Sequence, residues 1–172
     1  AVGKLSPGKR TLGGRKDVHR TVDADGRFTG EILSVLPVEL HDVYVCTWFA
    51  PDLLYKNSGE NSFIKIDLPL KHLQQSFNSN GITFSDYDTD GKLDFLVTDR
   101  NGETALYRNI TEFNQNSWEF KDETETSGII NPYPAYGSVL QDFNNDGLTD
   151  IWISNIGPNL LLLGEKSGKF TI

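Results

Sequence analysis

Four aspartates crowd one short stretch of the sequence, "FSDYDTDGKLDFLVTD" at residues 84–99. They are Asp86, Asp88, Asp90 and Asp94. Carboxylates at such short separations repel one another unless a cation neutralises them. The pattern D-x-D-x-D-G-x-x-D therefore predicts a metal-binding loop, and the apolar residues that follow it predict a buried strand.

The same arrangement recurs 56 residues later in "VLQDFNNDGLTDIWIS" at residues 139–154. The matching side chains are those of Asp142, Asn144, Asp146 and Asp150. Both loops have glycine at the sixth position, Gly91 and Gly147, where it permits the sharp bend that lets a chain wrap an ion. We expect the backbone carbonyl at the seventh position, from Lys92 or Leu148, to add one more oxygen ligand.

A ligand set made only of oxygen atoms favours Ca²⁺ over zinc or copper, and two loops predict two ions. An EF-hand is excluded because the twelfth position holds Val97 or Ile153 instead of glutamate, and because the flanking segments are typical of strands. The alternative for each loop is an Asp/Gly-rich surface hairpin without a metal. The recurrence of the pattern argues against that alternative.

The two loops belong to a longer repeat of about 50 residues, since Asp42 precedes a third apolar strand at the equivalent place. The predicted fold class is all-β with little helix, in tandem units of three or four short strands. The predicted units span residues 30–75, 80–125 and 135–172, within a repeat region at 23–172. In the first unit the acidic loop is lost, and only Glu39, His41 and Asp42 could bind a metal.

Two segments, "GITFSDYDTDGKLDFLVTDRNGETALYRN" and "GSVLQDFNNDGLTDIWISNIGPNLLLLGEKSGKFT", resemble FG-GAP/VCBS repeats. These repeats are the blades of calcium-binding β-propellers such as the integrin α-chain head. The resemblance covers residues 81–172 well and residues 31–75 poorly. It implies four-stranded antiparallel blades, with the metal loop as the hairpin between the first two strands. It also implies that the calcium is structural, and it links the chain to cell adhesion.

About three blades make a partial propeller, because rings usually close with 4 to 8 blades. We therefore expect a piece of a longer chain, association with other chains, or an open and capped array. Trp48, Trp118 and Trp152 are expected in the blade cores rather than on a surface that stacks sugars.

The net charge of −8 is unevenly distributed, because the first 20 residues hold six Lys or Arg and one acid. Residues 1–22 are therefore predicted to be a flexible basic arm, which is either a solvated tail or a clamp for an anionic partner. Nucleic acid is an unfavourable partner for the acidic remainder. No apolar run approaches the roughly 20 residues of a membrane span.

The leading functional interpretation is a non-catalytic, calcium-binding repeat module that binds proteins, or else glycans. Its loops would be filled at extracellular calcium levels, so a secreted or lumenal location is expected; the sequon at Asn109 is compatible with that. The alternative is a structural accessory subunit of a larger complex, in an organelle for example, anchored by the basic arm. Catalysis is not expected, because the three histidines lie in unrelated contexts without a nucleophile motif.

Overall fold

The computed structural model describes residues 19–22, 28–34, 42–59, 61–112 and 117–172. Strands dominate these residues. They are β1 (His19–Val22), β2 (Phe28–Ser34), β3 (Val43–Ala50), β4 (Leu53–Gly59), β5 (Ser62–Ile66), β6 (Phe77–Ser85), β7 (Asp94–Asp99), β8 (Ala105–Asn109), β9 (Phe120–Asp122), β10 (Ala135–Gln141), β11 (Asp150–Asn155), β12 (Leu160–Gly164) and β13 (Phe170–Thr171). The described residues also include one single-turn helix, α1 (Lys71–Gln74). The all-β prediction is confirmed, and no helix in the described part of the chain could cross a membrane.

Sequential antiparallel pairing divides the strands into three four-stranded units. We call β2–β5 unit 1, β6–β9 unit 2 and β10–β13 unit 3. The end of β3 also pairs with β6, so β1, unit 1 and unit 2 form one nine-stranded sheet, whereas unit 3 is a separate sheet. Most of the predicted basic arm lies outside the described residues, and its last four residues form β1 on the edge of β2.

The two central strands of unit 2, β7 and β8, have two buried faces, because successive side chains point to opposite sides of a sheet. Phe95, Val97 and Tyr107 belong to a core cluster with Tyr44 and Leu54 of unit 1. This cluster joins the first two units.

The opposite face of unit 2 contributes Leu96 and Leu106 to a second core cluster. Their partners in that cluster include Ile151, Ile153 and Leu162 of unit 3. Unit 2 is thus packed between its two neighbours, which explains the nearly continuous burial of β7.

The first strands of units 2 and 3 also lie against each other. Asn80 Nδ2 donates a hydrogen bond to the carbonyl of Ala135 at 2.7 Å, and Thr83 Oγ1 donates to that of Ser138 at 2.8 Å. Between these contacts, a Cβ added to Gly81 would lie 3.1 Å from the Tyr136 carbonyl oxygen. The close approach explains why glycine suits this position.

The outer face of unit 3 is incompletely covered. Val139, Trp152 and Leu161 are direct neighbours across β10, β11 and β12, and Val139 and Leu161 are 44% and 42% exposed. Unit 2 has a matching row made of Thr83, Leu96 and Leu106. The row of unit 2 packs against the next unit, whereas the row of unit 3 faces solvent. We call the latter the open row.

The three tryptophans do not share one environment. Trp118 packs against the first core cluster, as expected. The expectation is wrong for Trp48, which is 50% exposed and followed by Phe49, 81% exposed. These two residues lie where the end of β3 leaves unit 1 to pair with β6, and the described residues leave much of both side chains open to solvent. Trp152 is half-buried in the open row.

Substitution of a leucine at equivalent positions of units 2 and 3 distinguishes a buried face from an open one. We expect Leu106→Ala to lower the free energy of unfolding by about 2–5 kcal/mol, because the side chain is fully buried and leaves a cavity. The matched control, Leu161→Ala, should cost about 1 kcal/mol or less. Urea unfolding measures both values, and equal losses would contradict the assignment of the two faces.

Candidate metal centre

Both predicted acidic loops are hairpins between the first and second strands of a unit. The first loop, residues 86–94, connects β6 to β7, and the second, residues 142–150, connects β10 to β11. This is the placement that the resemblance to calcium-binding blades implies. We call them loop 1 and loop 2.

The ninth residue of each loop is an aspartate with no exposed surface, and it joins the loop to two strands. Asp94 Oδ2 accepts a hydrogen bond from the Tyr87 N–H at 3.1 Å, and its Oδ1 accepts one from the Asn109 N–H at 2.8 Å. Oδ2 therefore binds the backbone at the start of loop 1, and Oδ1 binds the backbone at the end of β8.

Loop 2 repeats these bonds with different residues. Asp150 Oδ2 accepts from the Phe143 N–H at 2.9 Å, and its Oδ1 accepts from the Gly164 N–H at 2.8 Å. In unit 1, Asp42 Oδ1 accepts from the Asn57 N–H at 2.7 Å. All three units thus keep the carboxylate that ties the second strand to the third. Glu39 and His41, the other candidates in unit 1, lie outside the described residues.

The bend of the two loops is the same. The fourth residues, Thr89 and Asn145, both have φ of 61°, and the sixth residues, Gly91 and Gly147, have φ of 85° and 84°. This left-handed backbone favours glycine, as the sequence predicted. The N–H of each glycine donates to Oδ2 of the first aspartate of its loop, at 3.0 Å in loop 1 and 2.9 Å in loop 2.

The third and fifth side chains of each loop turn back on the backbone that follows them. Asp88 Oδ1 accepts from the Asp90 N–H at 3.2 Å, and Asp90 Oδ1 accepts from the Lys92 N–H at 3.0 Å. Such bonds hold one oxygen of each carboxylate and leave the other for a further partner.

The equivalent bonds of loop 2 are slightly shorter. Asn144 Oδ1 accepts from the Asp146 N–H at 2.9 Å, and Asp146 Oδ1 accepts from the Leu148 N–H at 2.8 Å. The backbone N–H groups of the seventh residues, Lys92 and Leu148, are therefore placed by the structure. The role of their carbonyls as metal ligands stays a prediction.

The geometry of loop 1 fits a cation. One carboxylate oxygen each from Asp86, Asp88 and Asp94 lie within 4.8 Å of one another. Asp86 Oδ1 is buried and accepts no hydrogen bond from the described residues. A buried carboxylate oxygen without a donor is costly, and an oxygen-coordinated ion such as Ca²⁺ would satisfy it.

A positively charged side chain that the sequence analysis missed lies over loop 1. Arg108 Nε is 2.5 Å from Asp88 Oδ2, and its Nη2 is 3.6 Å from Asp90 Oδ2. The first contact is an ion pair without good hydrogen-bond alignment. Lys92 Nζ approaches the same oxygen of Asp90 at 3.5 Å. A comparison of the residues that precede Asn57, Asn109 and Gly164 in the three units could have revealed Arg108.

Asn109, the asparagine of the sequon, has a structural role in unit 2. Its Nδ2 donates to the Leu93 carbonyl at 3.2 Å, and its Oδ1 accepts from the Thr111 N–H at 3.0 Å. The side chain therefore holds the end of loop 1 against β8. A glycan on Nδ2 would have to replace the bond to Leu93.

His72 is buried in a structural setting. Its Nδ1 lies 2.9 Å from the Tyr107 hydroxyl, and its ring stacks on Phe77 with centroids 4.5 Å apart. Burial lowers the pKa of His72 to about 4, so the ring is neutral at pH 7. His41 is not among the described residues.

Burial raises the pKa of Asp94 from 3.8 to about 7, an effect that the N–H groups of Asn109 and Tyr87 partly offset. Because this pKa lies above that of the unfolded chain, ionisation of Asp94 disfavours the folded state. In chelator, we expect protonated Asp94 to make its full contribution to the free energy of unfolding below about pH 4. This contribution should disappear as the pH rises through about 7.

Urea unfolding at several pH values, in chelator, measures this effect as the difference between wild type and Asp94→Asn. The variant should lack that part of the pH dependence, although its overall stability falls because an amide cannot accept both backbone bonds. Parallel stability curves for the two proteins between pH 4 and pH 8 would refute the assignment.

Comparisons with known proteins agree with the architecture of the loops. Residues 86–153 match the FG-GAP-like repeat family, a segment that starts at the first aspartate of loop 1 and ends in β11. The chain is 24% identical to human cartilage acidic protein 1 over 153 residues, and 24% identical to the protein of the same name from Xenopus tropicalis over 121 residues. These alignments cover 86% and 69% of the chain but 21% and 18% of the relatives.

The chain thus spans about a fifth of the length of the curated relatives it matches. The matched segment includes both acidic loops, on which the expected resemblance was based. The resemblance is therefore confirmed: this chain contains an FG-GAP-like repeat at residues 86–153.

Proposed function

We propose that the protein is a non-catalytic interaction module whose repeats are stabilised by two calcium ions. The observation that carries this proposal is the shared bend of loop 1 and loop 2, with closely similar φ angles at the fourth and sixth residues and the same bond from the glycine N–H to the first aspartate. The FG-GAP-like repeat and the cartilage acidic protein relatives point to the same non-enzymatic class.

The proposed ligands are the oxygen atoms at positions 1, 3, 5, 7 and 9 of each loop. They belong to Asp86, Asp88, Asp90, Lys92 (carbonyl), Asp94, Asp142, Asn144, Asp146, Leu148 (carbonyl) and Asp150. A bound calcium ion supplies the positive charge that offsets carboxylate repulsion. Since the unfolded chain holds no such site, the binding free energy adds to the stability of the hairpins.

The proposed setting is secreted or lumenal. Oxygen-lined loops of extracellular modules function at dissociation constants of about 10⁻⁴–10⁻³ M, which extracellular calcium can fill. The name of the relatives, cartilage acidic protein 1, is compatible with that setting.

The open row of unit 3 is the proposed protein-binding surface. The equivalent row of unit 2 packs against the strands of unit 3. Trp152 and its two apolar neighbours offer the same kind of surface without a following unit in the described structure. The partner that fits is therefore another sheet of the same repeat type, and a second copy of this chain is one source of it.

Glycan binding is a second candidate because of the exposed aromatic pair at the end of β3. Trp48 Nε1 donates to Asn80 Oδ1 at 3.1 Å, which fixes the ring, and Phe49 beside it is almost fully exposed. Fixed aromatic rings next to amide groups suit the apolar face and hydroxyls of a sugar.

The accessory-subunit alternative depends on the basic arm. Residues 1–18 are outside the described structure, so the arm as an anchor stays a prediction. An isolated chain that aggregates unless its partner is present would favour this alternative.

Calcium binding is tested with the double variant Asp86→Ala/Asp142→Ala. We expect native mass spectrometry to find two calcium ions on the wild type and none held specifically by the variant. Calcium at about 100 times the dissociation constant should add about 2.7 kcal/mol per site to wild-type stability and nothing to the variant. Asp67→Ala, which removes an exposed acid outside the loops, is the control. Equal calcium stabilisation of the wild type and the double variant would refute the proposal.

Association through the open row is tested with Leu161→Lys. We expect sedimentation equilibrium to show that the average mass of the wild type rises with concentration, and that of Leu161→Lys does not, because a buried lysine would lose its hydration. Ile130→Lys, at a 72% exposed position outside the row, is the control and should behave as wild type. A monomeric wild type at all concentrations would exclude self-association.

A further inference from the structure

We propose that Arg108 is a built-in counter-ion of loop 1 that competes with calcium, so that loop 1 binds calcium more weakly than loop 2. This inference rests on the proposed calcium-binding function and concerns how the two loops differ. A count of carboxylates alone predicts the opposite order, because loop 1 has Asp88 where loop 2 has Asn144.

Arg108 contacts the oxygen atoms that loop 1 would otherwise offer to an ion. Oδ1 of Asp88 and Oδ1 of Asp90 already accept backbone bonds within the loop. The guanidinium lies 2.5 Å from Oδ2 of Asp88 and 3.6 Å from Oδ2 of Asp90. A metal ion and Arg108 therefore need the same two oxygen atoms.

In the described part of the chain, no cationic side chain pairs with loop 2, because Leu163 occupies the place of Arg108. Arg108 immediately precedes Asn109, whose N–H binds Asp94; Leu163 immediately precedes Gly164, whose N–H binds Asp150. No salt bridge to an acid of loop 2 occurs among the described residues.

The strand register independently confirms this equivalence. Tyr107 pairs with Phe95, the residue after Asp94, and Leu162 pairs with Ile151, the residue after Asp150. The residues that follow Tyr107 and Leu162 are Arg108 and Leu163. They therefore occupy the same site on the third strand of their units.

Arg108 can leave loop 1 without losing every carboxylate partner. Glu123 lines the same open cleft as Arg108. Burial raises the pKa of the Glu123 carboxyl group, but hydrogen bonds from Lys121 and Thr126 and the charge of Arg108 lower it by more, so the net shift is downward. The Arg108 side chain as a whole is 38% exposed, so it has an open path from loop 1 into the cleft. Calcium binding to loop 1 would thus release a positive charge into the cleft between units 2 and 3.

Arg108→Gln isolates this competition when loop 2 is disabled by Asp142→Ala/Asp146→Ala. In that background we expect calorimetry to show about fivefold tighter calcium binding by loop 1, since a partly exposed ion pair contributes about 1 kcal/mol. Arg100→Gln, which removes an exposed guanidinium outside the loops, is the matched control and should leave the affinity unchanged.

The reciprocal variant, Leu163→Arg, places the same cation over loop 2. Leu163 is 36% exposed, so an arginine side chain has room there. With loop 1 disabled by Asp86→Ala/Asp90→Ala, we expect Leu163→Arg to weaken calcium binding by loop 2 about fivefold.

Melting temperatures separate a counter-ion from a merely structural residue. Arg108→Gln should melt lower than wild type in chelator, because Asp88 loses its ion pair with Arg108 while Asp90 keeps Lys92. The difference should shrink in saturating calcium. An unchanged or weaker affinity of loop 1 in Arg108→Gln would overturn the inference while leaving calcium binding itself intact. Absence of calcium binding by both loops of the wild type would overturn the proposed function and the competition together.

Discussion

A buried aspartate carboxylate at the start of the second strand is the interaction on which the architecture of the three units depends. Asp94 and Asp150 each accept two backbone N–H groups, one from the preceding loop and one from the third strand. A neutral side chain of the same size cannot accept both bonds, and each buried donor left without an acceptor costs about 1–3 kcal/mol. Asp42 makes the bond to the third strand in unit 1, where the acidic loop has disappeared. Joining the second strand to the third is therefore the role that this carboxylate has in all three units.

The proposed metal site includes the same carboxylate. The same aspartate is the last acid of loops 1 and 2, so the loop that gathers carboxylates is attached directly to the buried strand that follows it. Burial makes the charge of Asp94 expensive, and an ion that shares this charge would remove the cost. The structure contains a partial substitute in loop 1, the guanidinium of Arg108, and a hydrophobic side chain in its place in loop 2. Two loops with nearly identical backbones thus differ in their electrostatic surroundings.

The packing of one unit on the next determines which surfaces remain for partners. Unit 2 buries both of its faces, whereas unit 3 buries one and exposes the open row. The equivalence between Leu106 and Leu161 shows that position within the array, and not residue type, decides whether a leucine is core or surface. The same reasoning applies to Trp48, an aromatic residue that hydrophobicity alone assigns to the core and that the β3–β6 junction leaves exposed.

The sequence by itself determined the strand content, the repeat and the two loops, because these are local properties. Strand patterns, glycine at a left-handed position and alternating acids each act within about ten residues, and the structure shows Gly91 and Gly147 with the expected φ. The tertiary structure alone decided the properties that depend on distant residues. The pairing of β3 with β6, the position of Arg108 over Asp88 and the exposure of Trp48 require segments that lie 20 or more residues apart to meet. Such contacts are selected by the packing of whole sheets, which no short pattern of residues encodes.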